Sequence, residues 1–132
     1  VGPTAEGAIP GYERELLALV GRWTALCPAA LTEAVPTDLV CRGQDFVLRD
    51  GATFYYFCHN LQIHGNAHLH EGEGGAGLRT VRGELPAVRR ISWADRPDEA
   101  LTFEQRQWLT FDATPYPYGT HLAGWRIARI ET

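Results

Sequence analysis

The histidines include a group whose spacing could hold a metal ion. His68 and His70 lie two residues apart, His64 lies shortly before them, and His121 is distant in the sequence. Residues i and i+2 of a β-strand point to the same side, so such a pair with a third histidine could bind zinc or iron. The alternation of residues 61–70 has a simpler interpretation, a strand with histidines toward solvent and apolar residues toward the core. We therefore predict no metal site and no cofactor.

Carboxylates form two groups that could serve acid–base catalysis: Glu71 with Glu73, and Asp95 with Asp98 and Glu99. A catalytic pair needs a concave site in which burial keeps one member protonated. These residues instead lie among glycines and prolines that are typical of exposed turns. Ser92, the only serine, lacks a nucleophile-elbow motif, and no P-loop or GxGxxG sequence occurs. No catalytic residue is predicted.

Aromatic side chains near the C-terminus offer a third kind of site. Tyr116, Tyr118 and Trp125 lie on either side of Gly119 and could stack on a sugar ring. Aromatic residues of a β-domain also commonly pack in its core. These three are the candidate substrate-binding residues, with core packing as the alternative.

One helix is predicted near the N-terminus. Leu16, Val20, Trp23 and Cys27 recur at helical spacing and form one broad apolar stripe, which begins after Pro10 and ends before Pro28. A single amphipathic helix of this length is marginal in water, so the stripe requires a partner surface. We expect the chain alone to aggregate or to dock this helix on a neighbour.

The pattern changes to β after an irregular link over residues 28–44. Asp50-Gly51 between two strand-like runs predicts a hairpin. Residues 61–70 alternate cleanly, and we prefer one uninterrupted strand to a hairpin at Gly65-Asn66, because the hairpin would pair apolar residues with histidines. Residues 100–112 fit either a capped helix or a strand pair. Many short strands predict an all-β sandwich or barrel.

Length and charge exclude several function classes. The 132 residues are too few for a complete (β/α)8 barrel, which needs about 250. The net charge is −4, and the 12 arginines form no basic stripe, so no nucleic-acid partner is expected. No apolar run approaches the roughly 20 residues that span a bilayer, so no membrane partner is expected.

The cysteines and the missing methionine carry further information. Cys27, Cys41 and Cys58 have no CxxC spacing and are interpreted as small core residues. The chain contains no Met, even at position 1, so we expect a processed product or a piece of a longer protein. No signal peptide is visible, and any targeting signal would lie upstream, so localisation stays unassigned.

The first 27 residues resemble a stretch of the α-L-fucosidase family of retaining glycoside hydrolases. Three segments match in type, order and spacing: Val1-Gly2-Pro3, Gly7-Ala8-Ile9-Pro10 and Gly21-Arg22-Trp23. A looser similarity to the family's C-terminal β-domain follows, through Arg49-Asp50-Gly51, Phe54-Tyr55-Tyr56-Phe57, Ile91-Ser92-Trp93, Leu101-Thr102-Phe103-Glu104-Gln105 and Pro117-Tyr118-Gly119.

The resemblance implies a fold and a division of the chain. Residues 1–27 would be the last loop and helix of a (β/α)8 barrel, 28–37 a linker, and 38–132 an antiparallel C-terminal β-sandwich. Residues 100–112 would then be a strand pair. The fold class is therefore mainly β, a sandwich preceded by one amphipathic helix.

The resemblance also implies a role. The parent would hydrolyse terminal α-L-fucose with retention and without metal, and the catalytic barrel would be this chain's partner, with fucosylated glycans as possible ligands. No position here matches the family's nucleophile or acid/base motif, so the chain itself would be structural and non-catalytic. A free-standing carbohydrate- or protein-binding module is one alternative. A small cupin-like enzyme with a histidine-bound metal is another.

Overall fold

The computed structural model describes residues 2, 4–59, 77–113 and 126–132, together with the backbone of 63–64 and 70–71. Within these ranges the elements are α1 (Gly11–Leu26), α2 (Pro28–Thr32), β1 (Val35–Pro36), β2 (Phe46–Asp50), β3 (Thr53–Cys58), β4 (Ile63–His64), β5 (His70–Glu71), β6 (Gly77–Val81), β7 (Arg90–Trp93), β8 (Phe103–Gln105), β9 (Leu109–Ala113) and β10 (Arg126–Glu131). No helix in the part described has the length and apolar character that crossing a membrane requires.

A tight hairpin joins β2 and β3, as the sequence predicts. Asp50 pairs with Thr53 at the end of the ladder, so the two turn residues are Gly51 and Ala52 rather than Asp50 and Gly51. Gly51 takes a φ of 55°, which a residue without Cβ adopts at little cost. Arg49 Nε donates to the Gly51 carbonyl at 2.8 Å and braces the turn.

Two larger antiparallel sheets form the body of the part described. One has the strand order β1-β2-β3-β10-β7 and the other the order β6-β9-β8. The pairing of β8 with β9 confirms the strand pair within residues 100–112 and excludes the capped helix.

The main core lies between these two sheets. Strand β3 directs Phe54, Tyr56 and Cys58 inward, because alternate residues of a strand share one face. The Tyr56 ring meets Phe111 of β9 edge-on, with ring centroids 5.0 Å apart. The predicted mainly β sandwich is confirmed by this arrangement of inward faces.

A second apolar cluster covers the outer face of the five-stranded sheet. Tyr55 and Phe57, the alternate residues of β3, point outward and pack with Ile127 and with Ala30 of α2. Trp23 of α1 packs against the same cluster, with its ring centroid 6.4 Å from that of Phe57. The C-terminal end of α1 therefore docks on the sandwich of its own chain.

Two segments differ from the sequence-based expectation. Residues 28–44 are not wholly irregular, because Pro28 starts α2 and Val35 pairs with Arg49 to add β1 to the sheet. The uninterrupted strand over 61–70 is wrong. Strands β4 and β5 are antiparallel, with Ile63 opposite Glu71 and His64 opposite His70, so the chain reverses between them.

Candidate functional site

The structure describes only some of the candidate residues that the sequence suggested. Tyr116, Tyr118 and Trp125 lie outside the described residues, as do His68 and His121. The backbones of His64 and His70 lie opposite each other on β4 and β5, while the His68–His70 pair of the metal hypothesis stays untested because His68 is not described. Among the described side chains, no three His, Cys, Asp or Glu residues come together as a metal-binding group.

The carboxylates near residue 95 are engaged with arginines. Asp95 Oδ1 lies 2.8 Å from the Arg126 guanidinium, and Glu99 Oε1 lies 2.8 Å from that of Arg96. The Arg126 guanidinium also lies over the Trp93 ring, 4.1 Å from its centroid. The Asp95 contact holds the chain after β7 against β10, and the contact between Arg96 and Glu99 lies within that chain segment. Glu73 lies outside the residues described.

The three cysteines occupy apolar surroundings, as predicted. Cys58 is fully buried in the main core, Cys41 packs against that core, and Cys27 packs against the second cluster. Burial raises the pKa of the Cys41 thiol to about 11 and also raises the pKa values of Cys27 and Cys58. All three thiols are therefore protonated at neutral pH, whereas a cysteine nucleophile acts as the thiolate.

A buried polar cluster connects the two sheets, and sequence reasoning missed it. The Asp45 carboxylate accepts a hydrogen bond from the Tyr56 hydroxyl at 2.6 Å and another from the His59 backbone N–H at 2.6 Å. Arg79 Nε of β6 lies 3.1 Å from the same carboxylate, and both of these side chains are almost completely buried. We call Asp45, Tyr56, His59 and Arg79 the Asp45 cluster.

The Asp45 cluster is built for packing rather than for catalysis. Burial raises the pKa of the Tyr56 hydroxyl, and the hydrogen bond to Asp45 raises it further, so Tyr56 stays a proton donor. The carboxylate receives donors from β3, from the residue after it and from the opposite sheet. The Asp45 side chain is almost completely buried and its three neighbours account for its charge, so it is explained by its structural contacts.

The accessible candidate surface is one face of α1. Leu16, Leu17 and Val20 are each more than half exposed, at 58%, 53% and 53% of their possible surface. These three residues are the α1 apolar face. Trp23 and Cys27, further along the predicted stripe, already pack on the sandwich. The stripe is thus divided between a docked C-terminal part and an uncovered N-terminal part.

Comparison with solved structures identifies the fold. An α-L-fucosynthase from Thermotoga maritima, in complex with α-L-Fuc-(1-2)-β-L-Fuc-N3, superposes with a TM-score of 0.65 over 98% of this chain. An α-fucosidase from the same organism gives TM-scores of 0.63 over 98% and, in complex with a mechanism-based inhibitor, 0.62 over 100% of this chain. Sequence identity is 14% in each comparison. No protein-family model and no curated protein matches the sequence.

The coverage of these matches is one-sided. The chain spans only 28–29% of the length of the solved structures that it matches. Almost the whole chain is accounted for by a minor part of each, and the remainder of each neighbour has no counterpart here. At the level of the fold, this chain therefore matches the C-terminal portion of an α-L-fucosidase, as the sequence resemblance predicted.

Proposed function

We propose that this chain is the C-terminal β-sandwich portion of an α-L-fucosidase-like glycoside hydrolase, and that it is itself structural. In this proposal residues 1–27 are the last loop and helix of a (β/α)8 barrel, 28–37 link the two units, and 38–132 form the sandwich. The parent enzyme hydrolyses terminal α-L-fucose with retention, and the catalytic barrel is the direct partner of this chain.

The uncovered α1 apolar face is the observation that carries the proposal. Leu16, Leu17 and Val20 place adjacent aliphatic side chains partly in water, at a cost of roughly 1 kcal/mol for each half-exposed side chain relative to full burial. In a barrel the last helix belongs to an outer ring and buries such a face against the strands and the neighbouring helices. A barrel would thus cover the part of α1 that the sandwich leaves open.

The described part of the chain supports a non-catalytic role. Retaining glycosidases use two carboxyl groups about 5 Å apart on either side of the scissile bond. Here Asp45 is enclosed with Tyr56 and Arg79, while Asp95 is engaged with Arg126. The nucleophile and the acid/base residue would therefore come from the barrel.

Hydrolysis of 4-nitrophenyl α-L-fucoside by the 132-residue chain tests the catalytic part of the proposal. We expect no release of nitrophenol above the buffer blank, because no position of the sequence matches the family's nucleophile or acid/base motif, and the glycosyl-enzyme intermediate requires both residues. Steady turnover by the purified chain would overturn the structural role.

Dye binding tests the exposed face. The chain should bind an apolar fluorescent dye and self-associate, and the double variant Leu16→Gln, Val20→Gln should reduce both, because uncovered apolar patches drive association. Arg22→Gln, an exposed change on the same helix, is the matched control and should leave both unchanged. If the chain is monodisperse and the double variant binds the dye as the wild type does, the inference that a partner covers this face is contradicted.

A further inference from the structure

An open cleft of about 950 Å³ lies beside β1. One wall is formed by β1 and the residues that follow it, and the other by the turn between β8 and β9. The side chains that bring polar groups or an exposed ring to it are Asp38, Arg49, Glu84, Arg106, Gln107 and Trp108. Its volume is within the range of about 300–1,000 Å³ that is usual for small-molecule sites.

Trp108 is the exposed ring of this cleft. It lies in the β8–β9 turn and is 43% exposed, although a tryptophan gains much by burial. The Arg82 guanidinium lies over its ring, 4.8 Å from the centroid, and Arg82 is not part of the cleft lining. The arginine therefore supports the ring from outside the cleft, while the indole also contributes to the cleft wall.

The support behind Trp108 is held by the backbone. Arg82 and Val40 exchange two N–H to carbonyl hydrogen bonds, each 2.9 Å long. The turn itself is closed by a hydrogen bond from the Arg106 N–H to the Trp108 carbonyl at 3.1 Å. These hydrogen bonds order the backbone from which the Trp108 and Arg82 side chains extend.

The walls of the cleft are also fixed in advance. The Gln105 side chain donates to the carbonyls of Leu85 and Pro86 at 3.2 and 3.0 Å, and accepts from the Val88 N–H at 2.8 Å. Gly83 has a φ of 121°, and a Cβ there would lie 2.9 Å from Leu39 Cδ2. A site whose parts are already ordered loses little entropy when a ligand binds.

The charges at the cleft balance. Asp38 and Glu84 bring two negative charges, and Arg49 and Arg106 bring two positive ones. Nε of each arginine is engaged, with the Gly51 carbonyl for Arg49 and with Glu104 Oε1 for Arg106, which leaves the terminal nitrogens of both guanidinium groups as further donors. An anionic ligand would meet the two carboxylates and a cationic one the two arginines, so a neutral ligand rich in hydroxyl groups suits the site best.

We propose that this cleft binds a neutral oligosaccharide, with one sugar ring against Trp108 and its hydroxyls bonded to Asp38, Glu84, Arg106 and Gln107. Sugars combine an apolar ring face with hydroxyls that both donate and accept, which is what an exposed indole among mixed carboxylate, guanidinium and amide groups can satisfy. This assignment involves none of the sequence-derived candidates. It needs no barrel and stands whether or not the proposed function does.

Titration calorimetry of the 132-residue chain tests the proposal with defined probes. The neutral probes are 2′-fucosyllactose, maltotetraose and cellotetraose, and tetragalacturonate is the acidic comparison. We expect at least one neutral probe to bind with a Kd of about 1 mM or tighter. Trp108→Ala should weaken that binding at least about tenfold, as expected for a central aromatic contact, and Trp108→Phe should lose less.

Further variants distinguish a loss of binding from a loss of folding. Tyr12→Ala removes another exposed aromatic ring, on α1 and outside the cleft, and should leave the affinity unchanged. Gln107→Ala changes an exposed turn residue and should weaken binding with no change in thermal unfolding, so it decides the matter if Trp108→Ala fails to fold. The proposal is overturned if no neutral probe binds, if Gln107→Ala and every folded Trp108 variant bind as the wild type does, or if tetragalacturonate binds more tightly than all neutral probes.

Discussion

Asp45 shows how a single residue can link the two layers of this fold. Its carboxylate accepts hydrogen bonds from Tyr56 of β3 and from the N–H of His59 just after that strand, and it lies 3.1 Å from Arg79 Nε of the smaller sheet. Burying both charges is costly in itself, and their close contact offsets that cost. Removing one member of this pair should therefore lower the stability much more than a change at an ordinary, exposed Asp.

We predict that Asp45→Asn lowers the free energy of unfolding by about 3 kcal/mol, because Arg79 stays buried while the carboxylate charge that it faces is lost. Urea denaturation followed by circular dichroism measures this change. Asp98→Asn, at an exposed site, is the control and should cost less than about 0.5 kcal/mol. Equal stability of the two variants would contradict a structural role for the Asp45 cluster.

The buried thiols and the Tyr56 hydroxyl should make the stability depend on pH in the alkaline range. Burial raises the pKa of Cys41 from 9.0 to about 11, and the pKa values of Cys58 and Tyr56 are also raised. The folded chain then keeps protons that the unfolded chain releases above about pH 9. The contribution of these groups to the stability is fully present below that pH and decreases as the pH rises toward 11.

We predict that the free energy of unfolding falls by about 1 kcal/mol between pH 9 and pH 11 through Cys41 alone, because solvent screens this half-buried thiol. Chemical denaturation at a series of pH values measures this decrease. Cys41→Ala should remove part of the slope and leave the contribution of Cys58 and Tyr56. A stability that is constant across this pH range would contradict the burial of these groups.

Replacing glycine by alanine should change the free energy of unfolding in opposite directions at two positions. Gly83 has a φ of 121° and lies against Leu39, so Gly83→Ala should cost about 1–3 kcal/mol. Gly21 lies within α1 with open space around the position of a Cβ, so Gly21→Ala should stabilise the chain by up to about 1 kcal/mol. Thermal unfolding of both variants measures the difference, and a stabilising Gly83→Ala would contradict the close contact with Leu39.

At the scale of elements, local signals predict well and long-range contacts do not. The bounds of α1 follow from Pro10, Pro28 and helical spacing, and the β2–β3 hairpin follows from a turn sequence. The strand over 61–70 was wrong because side-chain alternation does not reveal where a chain reverses direction. The Asp45 cluster was missed because residues 45, 56 and 79 meet only through pairing across two sheets, which no local spacing indicates.

The docking of α1 is an element-scale property that a pair of variants can separate. Trp23→Ala should cost about 2 kcal/mol, because the ring packs on Phe57 and the second cluster. Leu16→Ala on the exposed face should cost less than about 0.5 kcal/mol in the same chain. Urea unfolding measures both, and a larger loss for Leu16→Ala would contradict the division of the stripe.

At the scale of the whole molecule, most of the buried residues described belong to the sandwich, and α1 is divided along its length. Its C-terminal end packs on the outer face of the five-stranded sheet, and its N-terminal part presents the α1 apolar face. Trp23 packs on the sandwich and belongs to the docked part of the stripe. Leu16, Leu17 and Val20 remain available to a larger partner, which is the central element of the proposed function.

The most direct test of that account is the mass and activity of the native protein in the organism that encodes it. An antibody raised against the 132-residue chain should recognise a polypeptide several times larger than 14.7 kDa. The immunoprecipitate should release fucose from an aryl α-L-fucoside. A native polypeptide of 14.7 kDa with no associated α-L-fucosidase activity would contradict the proposal that this chain is the structural portion of such an enzyme.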